Sequence, residues 1–189
     1  MTIDKSSLRA GFLYIRQAIQ PDVRAAASQQ IIPHVLKLVP HNAVVAGYVA
    51  IRGELDVFPA LAALAGRGQQ LCLPVTLNNR ELIFRQYKPD DVLETGAYGI
   101  AIPPSTAPIT VPDVLLVPLV AFDAVGHRLG YGAGYYDRAI HKLKQKNNNL
   151  KVFGVAFFCQ KADAIPAEST DEKLDAIITE MGIVLPNIN

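Results

Sequence analysis

The chain has 189 residues, half of them hydrophobic and 19% charged, with a net charge of +1. That length suits one domain able to bury most of its apolar surface without disulfide or metal staples. The charge balance gives no electrostatic footprint for nucleic acid, and the apolar runs fall short of the roughly 20 residues that a membrane-spanning helix needs.

From the N-terminus, Leu8, Phe12, Ile15 and Ile19 recur at the spacing of one helix face, and the pattern ends before Pro21. Lys5 and Arg9, four apart, share a different face near the start of that helix. The first residues lack the basic segment, apolar core and cleavage site of a secretory signal, so a cytoplasmic location is expected. A second helix is expected from Pro21 to about Leu38, kinked or divided at Pro33. Ala43 to Val49 then reads as a buried strand. Pro59 to Ala65 reads as helical, with Gly66 as its end signal. Gln70 to Val75 and Glu81 to Tyr87 read as strands paired in a hairpin through the turn signal Asn78-Asn79. Lys88 to Pro112 is rich in proline and turn residues and reads as a long connection of functional length.

Asp113 to Val120 is an apolar, β-branched buried strand; a helix is expected over Tyr135 to Gln145, and strands over Val152 to Phe158 and Ala176 to Thr179. Cys72 and Cys159 both fall inside apolar strands, as small buried hydrophobes of a reduced protein. The alternation of helices with apolar strands predicts an α/β fold: a single three-layer, Rossmann-like domain over residues 1–189, with a mainly parallel sheet and helices on both faces. In such a fold ligands gather beyond the carboxyl ends of the strands, where the segments after Val49 and Phe158 also lie.

The densest chemistry is the run Arg128-Leu129-Gly130-Tyr131-Gly132-Ala133-Gly134-Tyr135-Tyr136-Asp137. Its glycines let backbone N–H groups approach an anion, and its arginine adds charge and a fork of donors. The tyrosines can stack on a flat ligand, and the aspartate can hold magnesium. The run fits neither the dinucleotide fingerprint nor the P-loop. A phosphate cradle competes with a tight strand-to-helix turn, but the turn leaves Arg128, Tyr136 and Asp137 without a role. His34, His41 and His141 are scattered and predict no metal cluster, and His127 is expected to be a solvated loop residue.

Val117 to Asp123 together with Gly126 to Asp137 resembles the signature of the 5-formyltetrahydrofolate cyclo-ligase family, also called methenyltetrahydrofolate synthetases. Supporting motifs occur in order along nearly the whole chain: Lys5-x-x-x-Arg9, the strand Val44 to Val49 followed by Glu54-Leu55-Asp56, Gly99-Ile100-x-x-Pro103, and Asp171-x-x-x-Asp175-x-Ile177-Ile178-Thr179-Glu180. The resemblance implies an enzyme that uses ATP and magnesium to convert 5-formyltetrahydrofolate to 5,10-methenyltetrahydrofolate. It also leaves open, as an alternative, a non-catalytic homologue that binds nucleotide or folate.

Carried over residue by residue, the resemblance implies that Lys5 and Arg9 reach the ATP phosphates, although a solvated basic face is the plainer reading of that pair. It places Arg128 on the transferring phosphoryl group, with Tyr136 as a second catalytic candidate. Gly130, Tyr131, Gly132, Ala133 and Gly134 would line the phosphates, and the segment from Tyr131 also the reacting end of the folate. Tyr135 and Tyr136 would border nucleotide and pterin, unless one of the pair packs in the core. Asp137 and Asp175 would hold magnesium; the alternatives are a first-turn helix residue and a polar strand opener. Glu54 would accept from the pterin edge, and Val49 would line the folate pocket or the core. Tyr131 and Ala133 stand where some relatives carry Arg and Lys, so the loop offers fewer cations. The expected partner is the folate substrate, with no nucleic acid or membrane, in a monomer or weak oligomer.

Overall fold

The structure, a computed structural model, describes residues 4–77 and 79–187; Asn78 of the expected turn and the first three residues lie outside that set. Its strands are β1 (Val45–Ala46), β2 (Leu71–Thr76), β3 (Leu82–Tyr87), β4 (Glu94–Thr95), β5 (Ala101–Ile102), β6 (Val114–Pro118), β7 (Ala121–Phe122), β8 (Arg128–Leu129), β9 (Lys151–Val155), β10 (Ala176–Thr179) and β11 (Gly182–Val184). Seven form one sheet in the order β11-β10-β9-β6-β1-β2-β3. The five from β10 to β2 run parallel, and the edge strands β3 and β11 are antiparallel to their neighbours.

Successive side chains on a strand point to opposite faces, so a strand buried on both sides must be apolar throughout. Accordingly, Val114 and Leu116 enter one core cluster, while Leu115 and Val117 enter another. The first cluster is covered by α2 (Pro21–Gln30), α3 (Ile32–Leu38) and α4 (Phe58–Gly66), through Ala27, Val35, Leu61 and Leu64. The second is covered by α5 (Tyr135–Lys144), through Ile140 and Leu143. The result is the expected three-layer α/β architecture. Pro33 divides the second helix, since a proline fits a first turn and cannot continue a helix interior.

The remaining helix, α1 (Lys5–Gln17), is capped by Asp4, whose carboxylate accepts from the Ser7 backbone N–H. Leu8 and Phe12 pack on a small third cluster made by Ala121, Leu129, Ala162 and Ile165. This seats α1 over the carboxyl-end edge of the sheet, beside the β7–β8 hairpin.

Several local expectations change. Ile15 is exposed, because α1 buries only a narrow stripe. Gly66 is the last residue of α4, and the positive φ after the helix falls to Gly68. The connection after β3 contains the short β4–β5 hairpin and lays Pro108 and Thr110 along β3, covering the sheet edge. The strand around Phe153 stops at Val155, so Cys159 sits exposed on a 3-10 turn over Phe158–Gln160. Cys72 is buried in β2 as expected, and burial pushes its thiol up to about 12. β11 has no apolar alternation strong enough to mark it as a strand.

Candidate functional site

At the carboxyl ends of the parallel strands lies a cleft of about 1050 Å³. Its floor and one wall are the glycine run. β8 supplies Arg128, and the chain then passes through Gly132 at φ +94° and Gly134 at φ +67° before α5 begins. Those left-handed conformations favour glycine, and they turn the backbone sharply into the helix. Gly134 offers no side-chain cap, so the first N–H groups of α5 retain the unpaired donors of a helix start, at its positive end. This is a suitable place for a phosphate.

Cations from two elements face this loop. Arg9 of α1 donates from Nε to the Gly130 carbonyl at 2.8 Å, tying the helix to the loop. Lys5, one turn earlier, bridges Glu168 at 2.8 Å and Asp171 at 2.9 Å. Burial disfavours the Lys5 ammonium, but these two carboxylates outweigh it and leave its pKa raised. Arg128 is nearly buried; its Nη2 lies 2.5 Å from Asp137 Oδ1, and its Nη1 donates to the Glu172 carbonyl. Asp137 also accepts from the Glu172 N–H, so the 168–172 segment is laced to the site by both partners. Burial lowers the Arg128 pKa despite Asp137, yet a guanidinium remains a cation.

The opposite end of the cleft is built around Glu54, which is only 7% exposed. Its Oε2 accepts from the Ile51 N–H at 3.0 Å and its Oε1 from the Tyr131 hydroxyl at 2.9 Å. Burial raises its pKa, opposed by these hydrogen bonds and by Arg16 and Arg52. Val49 lines the cleft while packing against the main core, so both readings of it hold. Tyr135 and Tyr136 divide their roles. Tyr136 packs against the α5-side core, and burial keeps its hydroxyl protonated far above the usual range. Tyr135 faces outward, its hydroxyl 3.1 Å from that of Tyr98 on the turn between β4 and β5.

Comparison with known proteins bears on whose cleft this is. The profile of the 5-formyltetrahydrofolate cyclo-ligase family matches residues 1–180. The chain belongs to that family. Its similarity extends to the 5-formyltetrahydrofolate cyclo-ligase of Escherichia coli K12, 32% identical over 174 residues, which span 87% of this chain and 93% of that protein. The Haemophilus influenzae cyclo-ligase is 29% identical over 185 residues, covering 94% and 98% respectively. Among solved structures, the 5,10-methenyltetrahydrofolate synthetase of Aquifex aeolicus superposes with a TM-score of 0.80 at 30% identity, over 98% of this chain and 94% of that one. The synthetase of Mycoplasma pneumoniae gives 0.75 at 26% identity, over 94% and 99%. Membership makes the chain an enzyme of the ligase class.

Within this family member, the cleft gathers Lys5, Arg9, Val49, Glu54, the run from Arg128 to Asp137, and Glu168 to Glu172. It does not gather Asp175. That carboxylate accepts from the Val152 N–H at 2.8 Å, and its own N–H donates to Val152, at the amino ends of β9 and β10. A parallel sheet separates that end from the cleft end by the full length of its strands, so Asp175 sits as a strand opener, whereas Asp171 lines the cleft that Asp137 also lines. His127 is likewise not simply solvated: its Nδ1 lies 3.0 Å from the buried Asp123, which also accepts from the Val125, His127 and Ile165 N–H groups. Arg16 went unnoticed in the sequence, although it lies seven residues beyond Arg9 and continues the same stripe of α1. Tyr98 carried no local signal, since only the fold of the long connection brings it opposite Tyr135.

Proposed function

We propose that this chain converts 5-formyltetrahydrofolate to 5,10-methenyltetrahydrofolate, consuming ATP with magnesium and releasing ADP and phosphate. The observation that carries the proposal is the joining, in one cleft, of a cation- and glycine-rich part suited to phosphates with a buried carboxylate suited to a heterocycle edge. The first consists of the glycine loop, the α5 start, Lys5, Arg9 and Arg128; the second is Glu54 with Tyr131. A volume of about 1050 Å³ exceeds what one small ligand requires, and so accommodates two substrates side by side.

The chemistry explains why charge and positioning outweigh nucleophiles here. A formamide oxygen is a poor leaving group. Transfer of the γ-phosphoryl group to it forms a new P–O bond, breaks the bond to the departing ADP and yields an imidate phosphate. The N10 nitrogen then attacks the formyl carbon and gives up its proton, and the C–O bond breaks so that the oxygen leaves as phosphate, which can carry that proton away. Such transfer depends on alignment and on neutralising charge. Arg128 offers two donors to the moving phosphoryl group, and Lys5 and Arg9 hold the remaining phosphates against the loop amides. Tyr136 stays protonated and can donate to a developing oxyanion. Tyr135 borders the ligands, and Glu54 accepts from the pterin amino group and ring N–H.

The donor set suits magnesium. Asp137 and Asp171 are hard oxygen donors lining one cleft, and a site with one or two carboxylates leaves room for phosphate oxygens and water. Among the described residues there is no cluster of three or more His, Cys, Asp or Glu side chains able to hold an ion by themselves. Bound with ATP, magnesium would offset phosphate charge.

The deciding experiment mixes purified protein, magnesium, ATP and 5-formyltetrahydrofolate. Growth of methenyl absorbance with one ADP per product supports the reading, whereas ATP binding without product selects the non-catalytic alternative. We further read the chain as a single domain, acting in the cytoplasm as a monomer or weak oligomer. No helix among the described residues is long and apolar enough to cross a membrane.

A further inference from the structure

Arg16 is fully buried, yet no carboxylate pairs with it directly among the described residues. Its Nη1 donates to the Leu119 carbonyl at 3.1 Å, and its Nη2 donates to the Arg52 carbonyl at 3.1 Å and to the Tyr131 hydroxyl at 2.6 Å. Its Nε has no partner. Burying a guanidinium in this manner is costly, and a well-packed apolar side chain in its place would often leave a fold as stable or more so. Fold stability therefore does not explain the charge.

Its position does. One guanidinium ties together the segment after β1, the end of β6 and the glycine loop, which are the three pieces that close the Glu54 end of the cleft. The Tyr131 hydroxyl receives from Arg16 and donates to Glu54, forming a continuous relay from buried cation to buried carboxylate. The Tyr131 ring also has two guanidiniums near it, with its centroid 5.8 Å from Arg16 and 5.3 Å from Arg52. Positive charge that the loop lacks at Tyr131 thus arrives from α1 beneath it.

We propose that Arg16 is a positioning residue of the site: acting through Tyr131, it orients Glu54 and supplies the charge that this carboxylate needs once a flat amino-heterocycle covers it. The proposal rests on the reading of Glu54 as the folate-recognising group. With Oε1 engaged by Tyr131 and Oε2 by Ile51, the carboxylate is fixed in rotation, and its outer lone pairs remain for a two-point contact with an amino group and a ring N–H. The ionisable and charged groups facing Glu54 are Arg16 of α1, Arg52 and Tyr48 of the β1 segment, Tyr131 of the loop and Tyr136 of α5. Only Arg16 and Arg52 among them are cationic, and only Arg16 is removed from solvent screening.

The test is calorimetric titration of 5-formyltetrahydrofolate, and separately of ATP, into wild type, Arg16→Met, Arg16→Lys, Tyr131→Phe and Glu54→Gln, from mildly acidic to mildly alkaline pH. Arg16→Met is expected to weaken folate binding about tenfold or more at neutral pH, with affinity recovering as pH rises, while ATP binding stays at the wild-type level. Arg16→Lys should restore part of the pH profile, and Tyr131→Phe should weaken folate binding with the cation still in place. A folded Arg16→Met protein with wild-type folate affinity, or one weakened equally at every pH, overturns the proposal. If Arg16→Met does not melt cooperatively, unchanged folate affinity in both Arg16→Lys and Tyr131→Phe overturns it instead. Wild type that fails to bind folate, or Glu54→Gln that binds as wild type does, overturns the underlying reading of Glu54. Folate binding weakened by Glu54→Gln but by no Arg16 or Tyr131 variant sinks the relay alone.

Discussion

The Arg128 guanidinium and the Asp137 carboxylate meet across the two ends of the glycine loop, Nη2 to Oδ1 at 2.5 Å. The pair clamps the loop from β8 to the first turn of α5, and it places the cation proposed for the phosphoryl group against an acid proposed for magnesium. Each is therefore the other's partner in this structure.

Breaking this pair from either side should cost both rate and stability. Arg128→Ala and Asp137→Ala are each expected to lower kcat by about a hundredfold or more. Each should also destabilise the fold by about 1–3 kcal/mol, because the abandoned partner remains substantially buried. Steady-state kinetics with denaturant unfolding of the two single mutants and the double mutant reads both effects. A double mutant no less stable than either single one identifies the pair as coupled, and wild-type turnover in either single mutant removes it from the chemistry.

Asp171 and Asp175 are four residues apart and are expected to behave differently. Asp171→Asn should raise the magnesium concentration needed for half-maximal rate, since the residue lines the cleft beside Lys5. Asp175→Asn should leave that requirement unchanged and lower the melting temperature, because it weakens the acceptor for the Val152 N–H. A magnesium titration of initial rate, paired with thermal melts, separates the two. The opposite pattern would restore Asp175 as the metal ligand.

The ionisation of Glu54 predicts a pH dependence with a defined sign. Burial raises its pKa above the ordinary glutamate value, so the folded state holds this proton more tightly than the unfolded chain. Stability contributed by that proton is present below the unfolded pKa and is lost as pH rises through the folded one. Wild type should accordingly gain stability relative to Glu54→Gln as pH falls through this window. Over the same window folate binding to wild type should weaken, since the neutral acid loses its two-point acceptor geometry. Melting and titration curves recorded together check both signs; if they move in the same direction, Glu54 is not the titrating group.

Gly132 offers a probe of the loop that leaves every charge in place. At φ +94° an alanine is strained, and its methyl would approach Arg9 Nη2 at about 3.5 Å. Gly132→Ala should cost roughly 1–2 kcal/mol of loop conformation and raise KM for ATP more than KM for folate. Equal effects on both would show that the loop serves the two substrates alike.

The sequence by itself determined the layer architecture and the end of the sheet at which the cleft opens. The uninterrupted apolar run around Leu115 could be satisfied only by burial on both faces, and the glycines after Arg128 could be satisfied only by a sharp turn into a helix. The resemblance carried by the glycine run and the ordered motifs also brought forward Lys5, Arg9, Arg128, Asp137 and Glu54 as candidates, and the fold gathers all five at one cleft. What tertiary structure alone decided was which end of a strand a polar residue occupies and what stands opposite it. Asp171 and Asp175 look equivalent on the chain, and the register of β9 against β10 sends one to the cleft and the other to the far end of the sheet. Arg16 looks like one more surface cation at the end of a helix; it becomes buried only because the segment after β1, the end of β6 and the glycine loop converge on it. Periodicity records which face a residue takes within its own element, whereas the links of the Arg16–Tyr131–Glu54 relay join residues 115 and 77 apart and exist only once the sheet has set those segments side by side.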